Sequence, residues 1–364
     1  ERFGLTGPLR QVGRTGVRAG RRTFVYFGGC DYFRLASHPA VLAAVGQGIR
    51  RHGLNVSASR LTTGNHPLYL KLEERLARFF GVQRALVTGS GYASNLVAAQ
   101  ALAHQVTCAL LDERAHASLV DAAQLLGCRC LRFRHRDPRD LARLLATLSR
   151  RERPLILTDG LFAQDGSLAP LGDYLRLLPA RGCILVDDAH GAGVLGRRGR
   201  GAAEFLGVDR QRLVQTVTLS KAFGVYGGVI LGRESVARSV VARSRLFAGN
   251  TPLPLPLAAG ALVALKLLRT DPTLRARLRQ NTAYVKTALR RAGLPLPDNP
   301  APIVSLPAGR PAATAGLQAR LLAAGIYPTF IRYPGGPKDG YFRFALSSEH
   351  TREQLDRLVN ALAG

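Results

Sequence analysis

Four groups of residues have types and spacings that could do chemistry. In ILVDDAHGAGVLG, Asp187, Asp188 and His190 close an otherwise apolar run. If that run is a buried strand of an open α/β sheet, its carboxyl end faces the ligand crevice. An aspartate there pairs with a ligand cation, and His190 hydrogen-bonds a neighbouring oxygen. Lys221 follows the apolar LVQTVTL in a chain with few lysines and many arginines. A desolvated lysine is a nucleophile for Schiff-base chemistry, which arginine is not. Thr218 and Ser220 flank it with hydroxyls suited to a phosphate. GSGYASN (89–95) lies between a strand-like and a helix-like segment. Gly91 lets the backbone approach an anion there, and Ser90 with the first helical amides can bind a phosphate. His116 opens a helix after the strand-like TCALLD. Phosphate cradle, partner for a cationic ring, flanking histidines and a lysine nucleophile together fit pyridoxal 5'-phosphate, which acts as an electron sink for a carbanion at an amino acid's α-carbon.

The elements that must position these groups alternate between apolar strands and amphipathic helices, the pattern of a mostly parallel sheet covered by helices. Strands are expected at 84–89, 107–112, 128–133, 154–159, 183–188, 213–219 and 227–232. Helices are expected at 66–80, 92–103, 116–126, 138–150 and 170–181. After Phe247 the pattern changes. The proline-rich TPLPLP (251–256) leads into helices at 257–269 and 273–292. Strands at 302–307, 326–333 and 341–346 and helices at 313–324 and 350–363 then form a small α+β unit. The expected division is an N-terminal arm at 1–45, a large domain at 46–250 and a small domain at 251–364.

Composition bounds the rest. The chain has 364 residues, 46% of them hydrophobic and 21% charged, with no Met and no Trp. That excludes intrinsic disorder and small disulfide scaffolds. No apolar stretch approaches the ~20 residues of a membrane span. The segment ERFGLTGPLR has no apolar core of a secretory signal, so a cytoplasmic location is expected. The net charge of +27 raises the possibility of a polyanion-binding protein on a degenerate fold. The arginines are scattered, however, with only short runs such as Arg197–Arg198, so nucleic acid is not the expected partner. Five cysteines at 30, 108, 128, 130 and 183 do not match a zinc pattern, no metal is expected, and they read as reduced core thiols. Gly191–Gly196 matches G-x-G-x-x-G literally, but GRRGRG follows in place of an apolar helix, so a dinucleotide site is rejected.

The ordered motifs SGY, DERAHASLVDAA, TDGLFAQDGSLAPL, VDDAHGAGVLGRRGRG and TLSKAFGVYGG resemble the α-oxoamine synthases. The likeness runs from about Asp31 to the C-terminus. It implies fold type I of the pyridoxal phosphate enzymes, with a three-layer αβα large domain and a small α+β domain. It implies an acyltransferase that condenses an amino acid with an acyl thioester of coenzyme A or of an acyl carrier protein. Loss of CO2 then leaves an α-amino ketone. By this resemblance Lys221 holds the cofactor's aldehyde, His116 stacks on the ring, Asp187 pairs with the ring nitrogen and His190 contacts the phenolic oxygen. Tyr92, Asp159 and Thr251 join Ser90, Gly91 and Thr218 among the cofactor contacts, and Arg343 in FRFALS holds the amino-acid carboxylate. The resemblance also implies a homodimer, in which the strap around Asn250 and Thr251 reaches the partner's cofactor. The chain departs from the family at four places. The family's N-D-Y-L-G-L reads Cys30-Asp31-Tyr32-Phe33-Arg34-Leu35, which puts Cys30 near the substrate carboxylate. The serine of F-S-M-D-G is Ala163, a histidine of the early helix is Tyr69, and the Y-S-T-S strap reads Phe247-Ala248-Gly249-Asn250-Thr251. These losses keep an aminotransferase using the same lysine as the alternative reading.

Overall fold

The computed structural model describes residues 7–332 and 336–364. The chain opens on an antiparallel meander absent from the sequence reading: β1 (Leu9–Val12), β2 (Gly16–Ala19) and β3 (Arg22–Val25). Two helices follow, α1 (Pro39–His52) and α2 (Pro67–Phe80). Each begins at a His-Pro pair. The histidine Nδ1 accepts an amide of the first turn, and the proline sits where no intrahelical N–H partner exists. Strand and helix then alternate through β4 (Arg84–Thr88), α3 (Gly91–Leu102), β5 (Cys108–Asp112), α4 (Ala117–Gln124), β6 (Arg129–Phe133), α5 (Pro138–Ala146) and β7 (Pro154–Asp159). The series ends with α6 (Leu171–Leu177), β8 (Cys183–Asp187), the short α7 (Ala202–Phe205), β9 (Leu213–Thr218) and β10 (Gly228–Gly232).

These seven strands form one sheet in the order β4-β10-β9-β8-β7-β5-β6. The pairs from β9 to β6 are parallel, and β10 runs antiparallel to both its neighbours. Every residue of β5, β7 and β9 is buried, because helices cover both faces of the sheet centre. β6 departs from the buried strand expected there. It is the edge strand, and its Arg129, Cys130 and Arg132 are exposed. Of the five free cysteines only Cys108 is buried, while Cys128 and Cys183 are partly buried against the core, so core thiols is the wrong description for Cys30 and for the exposed Cys130.

Beyond the sheet come α8 (Glu234–Arg243), α9 (Arg245–Ala248), α10 (Leu255–Thr270), α11 (Pro272–Arg291), β11 (Ile303–Pro307), α12 (Pro311–Ala323), β12 (Phe330–Ile331), β13 (Tyr341–Ala345) and α13 (Arg352–Ala363). Two compact units result. The larger comprises His38–Phe162 and Leu168–Asp271; the smaller comprises the described residues of Glu1–Ser37, Ala163–Ser167 and Pro272–Gly364. The division therefore falls after α10 and not near residue 250, and α1 is part of the larger unit. The reason is packing. A Cβ on Gly48 of α1 would lie 2.8 Å from Pro256 Cα, and one on Gly260 of α10 would lie 2.7 Å from Val45 Cγ2. The two helices thus meet backbone to backbone and bury one face together.

In the smaller unit, β11-β13-β12 form an antiparallel sheet. Its core joins Phe27, Val304, Phe342, Phe344 and Leu346 to Val285 and Leu289 of α11 and Leu355 and Leu358 of α13. The long strand expected at 326–333 is reduced to Phe330–Ile331, preceded by an isolated parallel bridge between Ile326 and Val25. Pro328 lies between them and cannot donate to a ladder; Tyr333 lies outside the described residues. Among the described residues no helix is long and apolar enough to cross a membrane.

Candidate active site

The sheet delivers its polar residues at the carboxyl ends of the central strands of the larger unit. Asp159 ends β7 and Asp187 ends β8, and the two are register partners across the parallel pair. Both are buried. Asp187 Oδ2 accepts from Asn95 Nδ2 at 2.6 Å, and its Oδ1 accepts the Ala189 N–H at 3.0 Å. Asn95 is locked in turn, since its Oδ1 accepts from Thr216 Oγ1 at 2.5 Å and its Nδ2 also donates to Ser118 Oγ at 2.8 Å. Asp159 Oδ2 accepts the His116 N–H at 2.9 Å.

His116 is the N-cap of α4. Its Nδ1 accepts the Ser118 N–H at 3.2 Å and lies 2.7 Å from Ser118 Oγ. The capping role common for a histidine at a helix start is therefore real, and it also fixes the ring. Burial lowers the His116 pKa; Asp187 opposes that and Lys221 adds to it, so the imidazole is neutral near pH 7. Burial first, then the neighbouring Asp187, raise Asp159 well above the usual carboxylate range.

The second part of the site is the meeting of α3 with β9. Ser90 caps α3 by accepting the Ala93 N–H at 3.1 Å. A Cβ on Gly91 would stand 2.6 Å from Thr218 Cβ and 2.9 Å from its Oγ1. Only glycine lets the helix N-terminus reach the end of β9. Thr218 Oγ1 accepts the Ser220 N–H at 3.2 Å, and Lys221 begins a tight turn whose carbonyl accepts the Gly224 N–H at 3.0 Å. A cavity of about 430 Å³ opens beside this junction, lined by Gly89, Ser90, Asn55, Tyr226, Asn250 and Thr251 among others. Thr251 thus lines a cavity with Ser90 of its own chain. Tyr92 is half-exposed, donates to Asp121, and sets its ring edge-on to His116 with centroids 6.0 Å apart.

His190 is buried beyond β8. The neighbouring Asp188 accepts the Ala202 N–H at 2.8 Å and Gln215 Nε2 at 2.7 Å, and burial pushes its pKa up to about 7. A Cβ on Gly191 or Gly201 would collide with this carboxylate. Gly191 of the G-x-G-x-x-G match therefore makes room for this buried aspartate, as Gly201 beyond the match does, while Gly196 makes room for the Glu204 carboxylate.

In the smaller unit the structure brings Arg343 and Cys30 together, with Nη2 donating to Sγ at 3.5 Å, while Nη1 donates to the Ala163 carbonyl at 3.4 Å. The residues that sequence reasoning missed are Asn95, the support of Asp187, and Asn55 and Tyr226 of the cavity. Asn95 had a readable signal, because it lies four residues after Gly91 and so one helical turn along the same face.

These residues fit pyridoxal phosphate. Among the described residues Asp187 has neutral hydrogen-bond donors and no ion-pair partner, which leaves a buried carboxylate for a cationic ring nitrogen. The Ser90–Gly91–Thr218 junction is a cradle that a single Cβ would fill, and Lys221 supplies the amine.

Comparison with known proteins agrees. Residues 27–362 match the model of the family "Aminotransferase class I and II". An 8-amino-7-oxononanoate synthase of Thioalkalivibrio sulfidiphilus is 37% identical, over 94% of this chain and 88% of the relative. That of Methylococcus capsulatus is 40% identical, over 92% and 87%. Among solved structures, a serine palmitoyltransferase from S. paucimobilis with a bound PLP–myriocin aldimine superposes with a TM-score of 0.91 at 26% identity, covering 98% of this chain and 91% of that one. The 8-amino-7-oxononanoate synthase of Francisella tularensis gives 0.79 at 27%, covering 93% and 97%. The chain belongs to the class I and II aminotransferase family and, within it, to the α-oxoamine synthases with their fold type I architecture.

Proposed function

We propose that this chain joins an α-amino acid to an acyl thioester and releases CO2 and an α-amino ketone, as the name of its 8-amino-7-oxononanoate synthase relatives implies. It is a pyridoxal phosphate-dependent acyltransferase. The observation that carries the reading is Asp187, buried at the carboxyl end of β8 and braced by Asn95 beside Lys221 and His116. When bound, pyridoxal phosphate supplies an electron sink conjugated to the amino acid's α-carbon.

The geometry supports the following part for the protein's own residues. Ser90, the first amides of α3 and Thr218 bind the phosphate at a helix N-terminus. Asp187 would pair with the ring nitrogen, His190 would bond the phenolic oxygen, and Tyr92 and Asp159 hold His116, which would stack on the ring. Lys221 would hold the aldehyde, and its Nζ would take up the α-proton. Neutral His116 donates a hydrogen bond to the oxygen that gains charge when the thioester carbonyl is attacked. Arg343 binds the substrate carboxylate through its paired guanidinium nitrogens, with Cys30 beside it. The strong positive charge attracts the phosphates of coenzyme A or an acidic carrier protein.

We also infer a homodimer in the cytoplasm. Leu42, Leu54, Leu61, Leu70 and Tyr226 of the larger unit are large apolar side chains left about half exposed or more, and Thr251 lies on an exposed strap just before α10. Five unpaired cysteines suit a reducing compartment. The test of the activity is direct. Protein saturated with pyridoxal phosphate is given a panel of amino acids with acyl-CoA and acyl-carrier thioesters. Free thiol and CO2 are expected to appear together for at least one pair; no thiol from any pair sinks the proposal.

A further inference from the structure

We infer that Lys286 is a positioning residue for the substrate-carboxylate site: it holds Asn299 so that the segment Ala163–Ser167 presents the Ala163 carbonyl to Arg343. Lys286 lies on α11 and is 1% exposed, which is unusual for lysine. Its ammonium donates to both oxygens of one residue, the Asn299 carbonyl at 3.0 Å and the Asn299 Oδ1 at 2.9 Å. The Ala301 N–H reaches the same Oδ1 at 3.1 Å. With its oxygen taken twice, the Asn299 amide has one orientation, and its Nδ2 donates to the Gly166 carbonyl at 2.8 Å.

Gly166 belongs to five residues, Ala163–Ser167, that cluster with the smaller unit although the chain on both sides belongs to the larger. That short excursion is held at two points. Asn299 grips it at Gly166, where φ is +74° and a Cβ would lie 3.1 Å from Ala301 Cβ. Arg343 Nη1 grips it at the Ala163 carbonyl, at 3.4 Å. Between them, Asp165 Oδ1 accepts the Ser167 N–H at 2.8 Å and rigidifies the turn. The contact to Arg343 runs through backbone, so it does not depend on the side chain at position 163. An ammonium donating to a polarised amide makes a stronger bond than a neutral donor, so the ordering of Ala163–Ser167 depends on Lys286 being charged. The groups that face it are Arg290, one turn along α11, Asp298 on the following loop and Asp165 on the excursion. Burial, reinforced by Arg290 and opposed by the two aspartates, lowers its pKa to about 8. The hold on the excursion therefore weakens as pH rises through about 8.

The inference rests on Arg343 being the carboxylate anchor, and the experiment separates the two. Lys286→Met, Lys286→Gln, Asn299→Ala and Arg343→Lys are prepared as holoenzymes. Dissociation constants for the amino acid are read from the cofactor's visible spectrum, and hydrogen exchange of the Gly166 and Ser167 amides is followed by mass spectrometry. Lys286→Met and Asn299→Ala are expected to raise the amino-acid KM about tenfold with kcat nearly unchanged, and to speed exchange at 166–167 by a similar factor. Lys286→Gln, which keeps a donor, should recover part of both. In the native enzyme KM should rise above pH 8 more steeply than in Lys286→Met, which lacks the titrating group. If Lys286→Met does not fold, Asn299→Ala decides alone, because it removes the grip on Gly166 and leaves the lysine in place. Unchanged KM and exchange in folded variants overturn the inference. Faster exchange with an unchanged KM also overturns it when Arg343→Lys weakens amino-acid binding. If Arg343→Lys leaves binding intact, the anchor assignment is what fails.

Discussion

Lys221 is one of five lysines among 51 basic residues, and its place after β9, close enough to bear on the His116 titration, supports its proposed role as the nucleophile. Lys221→Ala removes the amine that holds the cofactor and the base that takes the α-proton, while Ser90, Thr218 and Asp187 remain. The variant is expected to fold and to bind pyridoxal phosphate without a covalent link, with turnover reduced by at least the ~10²–10⁴-fold that a positioned base contributes. Borohydride reduction of the native enzyme followed by peptide mapping should place the label on Lys221. A label on Lys71, Lys266, Lys286 or Lys338 would falsify the assignment. The candidate residues were readable singly because each sits in a dense motif with an unusual residue at its centre. Their supports were not. Nothing in a linear sequence couples Asn95 to Asp187, which stand 92 positions apart and meet at 2.6 Å.

At the scale of elements, the turn between β13 and α13 carries a titration of its own. His350 is buried beneath Phe27, with ring centroids 4.2 Å apart. Its Nδ1 accepts the Ser347 N–H at 2.9 Å, so Nε2 carries the hydrogen and faces the Tyr26 carbonyl at 3.2 Å. A proton on Nδ1 would face that N–H, and burial with the nearby Arg34 charge lowers the His350 pKa from 6.5 to about 3. The unfolded chain therefore binds a proton that the folded chain refuses. The stabilisation is complete above pH 6.5 and is lost progressively as pH falls toward 3, at about 1.4 kcal/mol per pH unit at the steepest. Urea midpoints measured from pH 7 to pH 5 should fall more steeply for the native protein than for His350→Gln. Equal slopes would show that the ring is protonated in the fold. Several helix starts were legible at this scale, since His-Pro at α2, Ser-Gly at α3 and Asp-Pro at α5 each mark a cap by local chemistry, whereas α1, with the same His-Pro start, was not among the expected helices. The meander β1–β3 was not, because four-residue strands rich in arginine carry no period of their own and exist only by pairing.

At the scale of the whole molecule, the exposed apolar residues on and around α1 and α2 are the basis of the proposed homodimer. Sedimentation of the native protein should give twice the chain mass, and Leu61→Glu with Leu70→Glu should shift it toward the single chain and loosen cofactor binding. A native monomer that binds pyridoxal phosphate tightly would overturn the homodimer. The amino-acid sequence alone was enough for the class of sheet, the chain order of its central elements and the cofactor, and it singled out the lysine proposed to react. All of these follow from local periodicity and from residue types whose chemistry is the same wherever they stand. The tertiary structure decided where the units divide, which strand lies at the edge, and what braces each functional group. Gly48 and Gly260 bind α10 to α1 across more than two hundred positions, so the boundary passes beyond the proline-rich turn that marks it in the sequence. β6 carries Cys130, Leu131 and Phe133 alongside two arginines, and its exposure shows only once it is placed at the sheet's edge, with a single neighbour. Such facts depend on which distant surfaces meet, and close packing settles that for the chain as a whole.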